Sequence, residues 1–145
     1  MTKKILEMNP DELKSSLLSG SITICVVGIG RIGLPTALSF ANSGLPTIGL
    51  DINSKLVENV NSGIYPLKDE PDYDIIFDKV INEKKFFATT NIEESVSKSD
   101  IILLSLPTPM DSNNIPDYSA LRLVGSQLSE HLKEGSLVIV ESTTE

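Results

Sequence analysis

The segment Gly28-Ile29-Gly30-Arg31-Ile32-Gly33 sets three glycines at the spacing with which a backbone wraps a phosphate. Gly28 permits a tight turn, Gly30 lets the main chain approach an anion, and Gly33 lets a following helix pack closely on the strand before it. Unpaired amides at a helix start, and the positive end of its dipole, attract a pyrophosphate there. Glycines are common, so the context decides. A β-branched run precedes the turn, an amphipathic segment follows it, and an acidic residue, Asp51, stands about 20 positions further on, as a dinucleotide fingerprint requires.

Asp51 closes a second apolar run, where its carboxylate can accept hydrogen bonds from an adenosine ribose. A 2′-phosphate there would meet a like charge at about 4 Å, a repulsion of up to about 4 kcal/mol at an effective dielectric near 20. That is roughly a thousandfold in affinity. Lys55 lies nearby but is not the arginine that accommodates a second phosphate, so the expected cofactor is NAD and not NADP. A plainer use for Asp51 is to cap the next helix, a role Asn53 could also fill.

Two further segments follow apolar strands, at the edge where ligands sit in such folds. Pro107-Thr108-Pro109 is stiff and offers one hydroxyl, and Glu141-Ser142-Thr143 offers more. Their plain readings are a rigid connector and an ordinary strand end. Cys25 lies within the first strand and reads as a core thiol rather than a nucleophile, and His131 reads as a solvated residue in a helix's last turn.

The elements that position these residues follow from periodicity. Asn9, Pro10, Glu12 and Gly20 mark a first helix by its cap, first position, capping partner and stop. Ile22 to Val27, Pro46 to Leu50, Phe86 to Thr89, Ile101 to Leu106 and Leu137 to Val140 read as strands, the last of them buried. Between them fall helical stripes: Leu34, Ala37, Leu38 and Ala41; Leu56, Val57 and Val60; Ile75, Ile76, Val80 and Ile81; a short helix over Ile92 to Val96; and Leu121, Val124, Leu128 and Leu132, capped by Asp117. Strands alternating with helices predict a doubly wound parallel α/β sheet, the Rossmann fold, over residues 21–145, preceded by a helical extension over residues 1–20.

Bulk composition narrows the function. A length of 145 residues fits one core. The net charge of −8 and the lack of a basic stripe disfavour a nucleic-acid partner, and none is expected. No apolar run approaches the roughly 20 residues of a membrane helix, and no signal-peptide pattern opens the chain, so no membrane contact and a cytoplasmic location are expected. The single cysteine suits a reducing compartment. No metal is expected.

Together Val27-Gly28-Ile29-Gly30-Arg31-Ile32-Gly33-Leu34-Pro35-Thr36-Ala37, Gly49-Leu50-Asp51-Ile52-Asn53, Glu70-Pro71, Pro107-Thr108-Pro109, Pro116-Asp117 and Glu141-Ser142-Thr143 resemble the nucleotide-sugar 6-dehydrogenases. This family includes UDP-glucose and UDP-N-acetylmannosamine dehydrogenases. The first helix and the Glu-Ser-Thr segment lean toward the N-acetylhexosamine branch. The resemblance implies that Gly28, Gly30, Arg31, Ile32 and Gly33 meet the dinucleotide phosphates, Asp51 the adenosine ribose, and Thr108 and Thr143 the nicotinamide end, with Thr143 beside the reaction centre. Arg31 departs from the family, which usually has an aromatic residue there. An arginine at that point could favour the anion.

Family members oxidise the C6 alcohol of a nucleotide sugar to a carboxylate with two NAD and a cysteine nucleophile that forms a thioester. That cysteine and the nucleotide-sugar contacts belong to later domains, so this chain is expected to bind NAD without turning over, and to be monomeric or weakly associating. The full-length form is expected to be a homodimer. Two rival readings share the glycine turn. One is the NAD-sensing regulatory domain of potassium transport systems, which often carries an arginine where Arg31 stands. The other is an NAD-dependent hydroxyacid dehydrogenase.

Overall fold

The structure, a computed structural model, describes residues 4–141. Helix α1, Pro10–Leu18, starts as expected: Asn9 Oδ1 accepts from the Glu12 amide at 2.9 Å, and Glu12 Oε1 accepts from the Asn9 side-chain amide at 2.6 Å. The extension is tied to the rest of the chain. Ile5 is buried, Leu17 rests on the core, and Lys4 pairs with Glu134 at 2.9 Å.

The remaining elements are β1 (Ile24–Val27), α2 (Gly33–Asn42), β2 (Thr47–Leu50), α3 (Ser54–Asn61), α4 (Asp74–Asn82), β3 (Phe86–Thr89), α5 (Ile92–Lys98), β4 (Ile101–Leu104), α6 (Ser119–His131) and β5 (Leu137–Val140). All strand pairs are parallel, in the order β3-β2-β1-β4-β5. The order reverses between β1 and β4. That switch point opens a crevice at the carboxyl edge of the sheet, where doubly wound folds take their ligands.

Alternation along β1 divides the core into two layers. Ile24 and Val26 face Leu34, Ala37, Leu38 and Ala41 of α2, with Val57, Val60, Phe77 and Val80 from α3 and α4. Cys25 and Val27 face Val96 of α5 and Val124 and Leu128 of α6. Burial on both faces explains why β1 reads as an unbroken apolar run. At the β3 edge, the Asn61 side chain both accepts from the Ala88 amide and donates to the Ala88 carbonyl, each at 2.8 Å, as a neighbouring strand would.

Several expectations need correction. Strand β1 starts at Ile24 and β2 at Thr47, each later than its apolar run, and Leu132 lies just past the end of α6 and is 39% exposed. Strand β4 ends at Leu104, so Ser105 and Leu106 belong to the loop. The inner face of α4 is Phe77 and Val80 flanked by Ile76 and Ile81, while Ile75 is 78% exposed: a run of adjacent apolar residues let the stripe be read one position early. Helix α6 begins after Tyr118, and Asp117 sits one residue further out, accepting from the Ser119 amide at 2.9 Å. Strand β5 is one edge of the sheet among the described residues and not buried as expected, with Leu137, Ile139 and Val140 between 39% and 49% exposed, because it pairs only with β4 there.

Candidate functional site

The register builds the site. Val27 aligns with Leu50 on one side and Leu104 on the other, and Leu104 with Val140. The next residue of each strand, Gly28, Asp51, Ser105 and Glu141, therefore stands on one edge. Main-chain bonds fix that edge: Gly28 N–H to Leu50 O at 2.7 Å, Ser105 N–H to Val27 O at 2.8 Å and Glu141 N–H to Leu104 O at 2.9 Å. Along it runs a crevice of about 900 Å³, lined by Gly28, Gly30, Arg31, Ile32, Asp51, Thr108 and Glu141, with apolar walls from Ile52, Leu106 and Leu123. That volume lies in the upper range for ligand clefts.

Steric requirements distinguish the glycines. Gly28 has φ +90°, and a Cβ there would fall 2.4 Å from the Ser105 carbonyl oxygen. A Cβ on Gly33 would fall 1.7 Å from the Gly28 carbonyl oxygen, so only glycine lets α2 begin so close to the turn. Gly30 is different: nothing lies within 4 Å of its Cβ position. The amides of Gly30, Arg31 and Ile32 donate no hydrogen bond among the described residues. Open space over unpaired amides before a helix of ten residues fits a pyrophosphate.

Asp51 is not the cap of α3. Asn53 is, its Oδ1 accepting from the Leu56 amide at 3.1 Å. Asp51 Oδ2 instead accepts from the Ile29 amide in the glycine turn at 3.0 Å, and Oδ1 from Asn53 N–H at 2.9 Å. Each carboxylate oxygen keeps a second lone-pair position for a ribose hydroxyl. Lys55 lies 3.6 Å from Glu58.

Arg31 receives an explanation the sequence withheld. Its guanidinium donates to Asp69 Oδ2 and Glu70 Oε1, each at 2.8 Å. The hydrogen bond from Arg31 holds the Asp69 carboxyl below its ordinary range, and the same pairing raises Arg31. Tyr65 steadies the acidic loop by donating to the Glu70 carbonyl at 2.9 Å while its ring meets Phe77, centroids 5.4 Å apart. Arg31 thus lines the crevice as a tie to the Glu70-Pro71 segment, with its charge already matched by two carboxylates.

Thr108 is half-buried on the crevice wall, and Ser142 and Thr143 lie outside the described residues. Sequence reasoning placed the Glu141-Ser142-Thr143 segment at this edge but gave the Glu141 carboxylate no role, and it gave none to Ile52, which is 97% exposed beside Asp51. Cys25 is fully buried, and burial pushes its thiol up to about 12. His131 ends α6, as expected. Among the described residues no cluster of His, Cys, Asp or Glu could hold a metal ion, and no helix is long and apolar enough to cross a membrane.

A five-stranded parallel sheet, a glycine turn at its switch point and an acid after the second strand define an NAD-binding domain of the Rossmann type. The profile of the UDP-glucose/GDP-mannose dehydrogenase family, NAD binding domain, matches residues 22–145, and the chain belongs to this family. It is similar to the UDP-N-acetyl-D-mannosamine dehydrogenase of Campylobacter jejuni, 38% identical over 122 residues that cover 83% of this chain and 29% of that protein. Among solved structures, the UDP-D-ManNAc dehydrogenase from Pyrococcus horikoshii superposes with a TM-score of 0.78 at 35% identity, over 84% of this chain and 28% of that one. The NDP-N-acetyl-D-galactosaminuronic acid dehydrogenase from Methanosarcina mazei Go1 gives 0.78 at 29% identity over 99% of this chain, N-terminal extension included, and 31% of its own. The chain therefore spans less than a third of the length of these relatives. The potassium-transport and hydroxyacid-dehydrogenase readings find no support in these matches.

Proposed function

We propose that residues 21–145 form the cofactor unit of a nucleotide-sugar 6-dehydrogenase, with residues 1–20 as an extension tied to it through Lys4, Ile5 and Leu17. Gly28, Gly30, Arg31, Ile32 and Gly33 hold the pyrophosphate, Arg31 through its backbone amide. Asp51 binds the adenosine ribose, Ile52 offers an apolar face to the adenine, and Thr108 and Thr143 stand at the nicotinamide end. The observation that carries this reading is the bond from Ile29 N–H to Asp51 Oδ2 at 3.0 Å, which holds ribose acceptor and phosphate cradle in one fixed unit.

Bound NAD supplies a hydride acceptor. The chain's own residues orient it: the turn fixes its phosphates, Asp51 its ribose, and the stiff Pro107-Thr108-Pro109 loop walls the far end. The whole enzyme oxidises the C6 alcohol of a UDP-sugar to a carboxylate, passing one hydride to each of two NAD, as a cytoplasmic homodimer. Its sugar is an N-acetylhexosamine, with the UDP-N-acetylmannosamine type favoured slightly because that name recurs among the similar proteins, from Campylobacter jejuni and Pyrococcus horikoshii among others. Cys25 takes no part in that chemistry, since its thiol is buried inside β1.

Calorimetry with NAD and NADP tests the site. NAD is expected to bind at least about a hundredfold tighter, within the like-charge limit set by Asp51. Equal affinity for both, or none for either, overturns the assignment.

A further inference from the structure

Three segments that meet at the switch point converge on one carboxylate. Glu141 follows β5 directly. Its Oε1 lies 2.9 Å from Thr36 Oγ1, on the first turn of α2, and its Oε2 accepts from Ser105 Oγ, just after β4. The Thr36 proton is shared with the Ile32 carbonyl, 3.1 Å from the same hydroxyl. Both partners of the carboxylate are neutral hydroxyls. No Lys, Arg or His pairs with Glu141 among the described residues, although other acids of the chain, Asp69, Glu70, Glu94, Asp100 and Glu134, each have a basic partner.

Its place in the crevice gives this uncompensated charge a use. Asp51 stands beyond β1 on the β2 side, and Glu141 stands beyond β4 on the β5 side. A dinucleotide laid across the switch point puts its adenosine over the first side and its nicotinamide over the second. The oxidised nicotinamide ring carries one positive charge that the reduced ring lacks, so a fixed carboxylate beside it favours the oxidised cofactor.

We propose that Glu141, oriented by Thr36 and Ser105, is a specificity-determining residue that makes the site prefer NAD+ over NADH. The inference rests on the site reading above and deepens it. A reaction that uses two NAD in succession needs the reduced cofactor to leave and the oxidised one to replace it. A site biased by charge toward the oxidised ring serves both steps.

The test is a titration of NAD+ and NADH by calorimetry, with NADH fluorescence as the second signal, on wild type, Glu141→Gln and a charge control, Asp78→Asn, on exposed α4. Glutamine keeps size and hydrogen bonding and removes the charge. We expect the ratio of NADH to NAD+ dissociation constants to fall about three- to tenfold in E141Q, the span of an electrostatic coupling screened by solvent. D78N should leave it unchanged, and added salt should narrow the wild-type ratio. Thr36→Val and Ser105→Ala, which keep the charge but loosen its orientation, should give smaller falls. An E141Q ratio equal to wild type overturns the proposal while leaving the cofactor site intact. Loss of all binding in wild type would instead remove the site reading beneath it.

Discussion

Asp51 and Ile29 are joined across the tips of two adjacent strands, the Ile29 amide donating to Asp51 Oδ2 at 3.0 Å. One carboxylate therefore shapes the glycine turn and keeps lone pairs for the ribose proposed to bind there. Turn and ribose acceptor then move as a unit, which preorganises the cofactor site at little entropic cost on binding.

That double duty separates two substitutions. Asp51→Ala removes both the ribose acceptor and the turn contact, and NAD affinity should fall about 10- to 100-fold, the range for hydrogen bonds to a charged group. NADP should lose far less, because the like-charge repulsion goes too. Asp51→Asn keeps an oxygen for Ile29 but sets its amide nitrogen against the Asn53 N–H and carries no charge, so it should hold the turn contact at a modest loss of stability and still narrow the NAD preference. Calorimetry paired with urea melts reads both effects, and unchanged discrimination in D51A would leave Asp51 a purely structural residue.

Arg31 faces two carboxylates, so the turn gains no net positive charge from it. Arg31→Ala should change NAD affinity by less than about threefold, an exposed ion pair being worth little. Neutralising the partners should do more: Asp69→Asn with Glu70→Gln frees the guanidinium beside the phosphates and should strengthen NAD binding several-fold at low salt, an effect abolished by adding R31A. The pH sign follows from Asp69. Its pKa is depressed, so the pairing is present above the ordinary 3.8 and is lost only as pH falls through the lower folded value. Between about pH 5 and pH 8 the Arg31–Asp69 pairing should therefore not titrate. A tighter-binding R31A would contradict this picture.

Cys25 offers a test of the core. Burial raises its thiol from an ordinary 9.0 to about 12, outweighing the Ser99 hydrogen bond that lowers it. The raised value means the neutral thiol stabilises the fold fully below 9.0 and that this contribution is lost as pH rises toward about 12. At pH 8, about a unit below the ordinary value, thiol reagents should label Cys25 only as fast as the chain unfolds. Rapid labelling of folded protein would show that β1 is accessible.

The sheet was legible in the sequence because β1, β2 and β4 are buried on both faces and so are short runs without charged residues, rich in Ile, Val and Leu. The glycine turn and Asp51 were legible because their spacing is set by one local β-α-β unit. Arg31 and Glu141 were not. Their partners lie 38 and 39 residues away for Arg31 and 105 and 36 for Glu141, and nothing local marks an arginine destined for a distant acidic loop or a glutamate destined for a helix start. The same holds at the opposite edge, where Asp100 accepts from Thr23 N–H at 2.9 Å and from Lys133 at 2.6 Å. Periodicity located α4 but misassigned Ile75, because three adjacent apolar residues, Ile75, Ile76 and Phe77, satisfy more than one helical phase.

The glycines give the sharpest contrast, since the fold itself requires Gly28 and Gly33, while Gly30 borders open space that only the proposed pyrophosphate would fill. At Gly33 an added methyl meets a backbone carbonyl 1.7 Å away, which no side-chain rearrangement relieves. Gly33→Ala should therefore cost at least about 3 kcal/mol, beyond the usual range for overpacking because the obstacle is main chain. At Gly30 the methyl meets nothing, and its φ is not in the left-handed region. Gly30→Ala should then fold at least as stably as wild type, gaining up to about 1 kcal/mol from the restricted unfolded chain. Its NAD affinity should still fall, because the methyl occupies the space through which the pyrophosphate reaches the amides. Urea melts and calorimetry on the two variants separate these roles. A G30A variant that binds NAD undiminished would move the phosphates elsewhere in the crevice, and a G33A variant of wild-type stability would overturn the close start of α2.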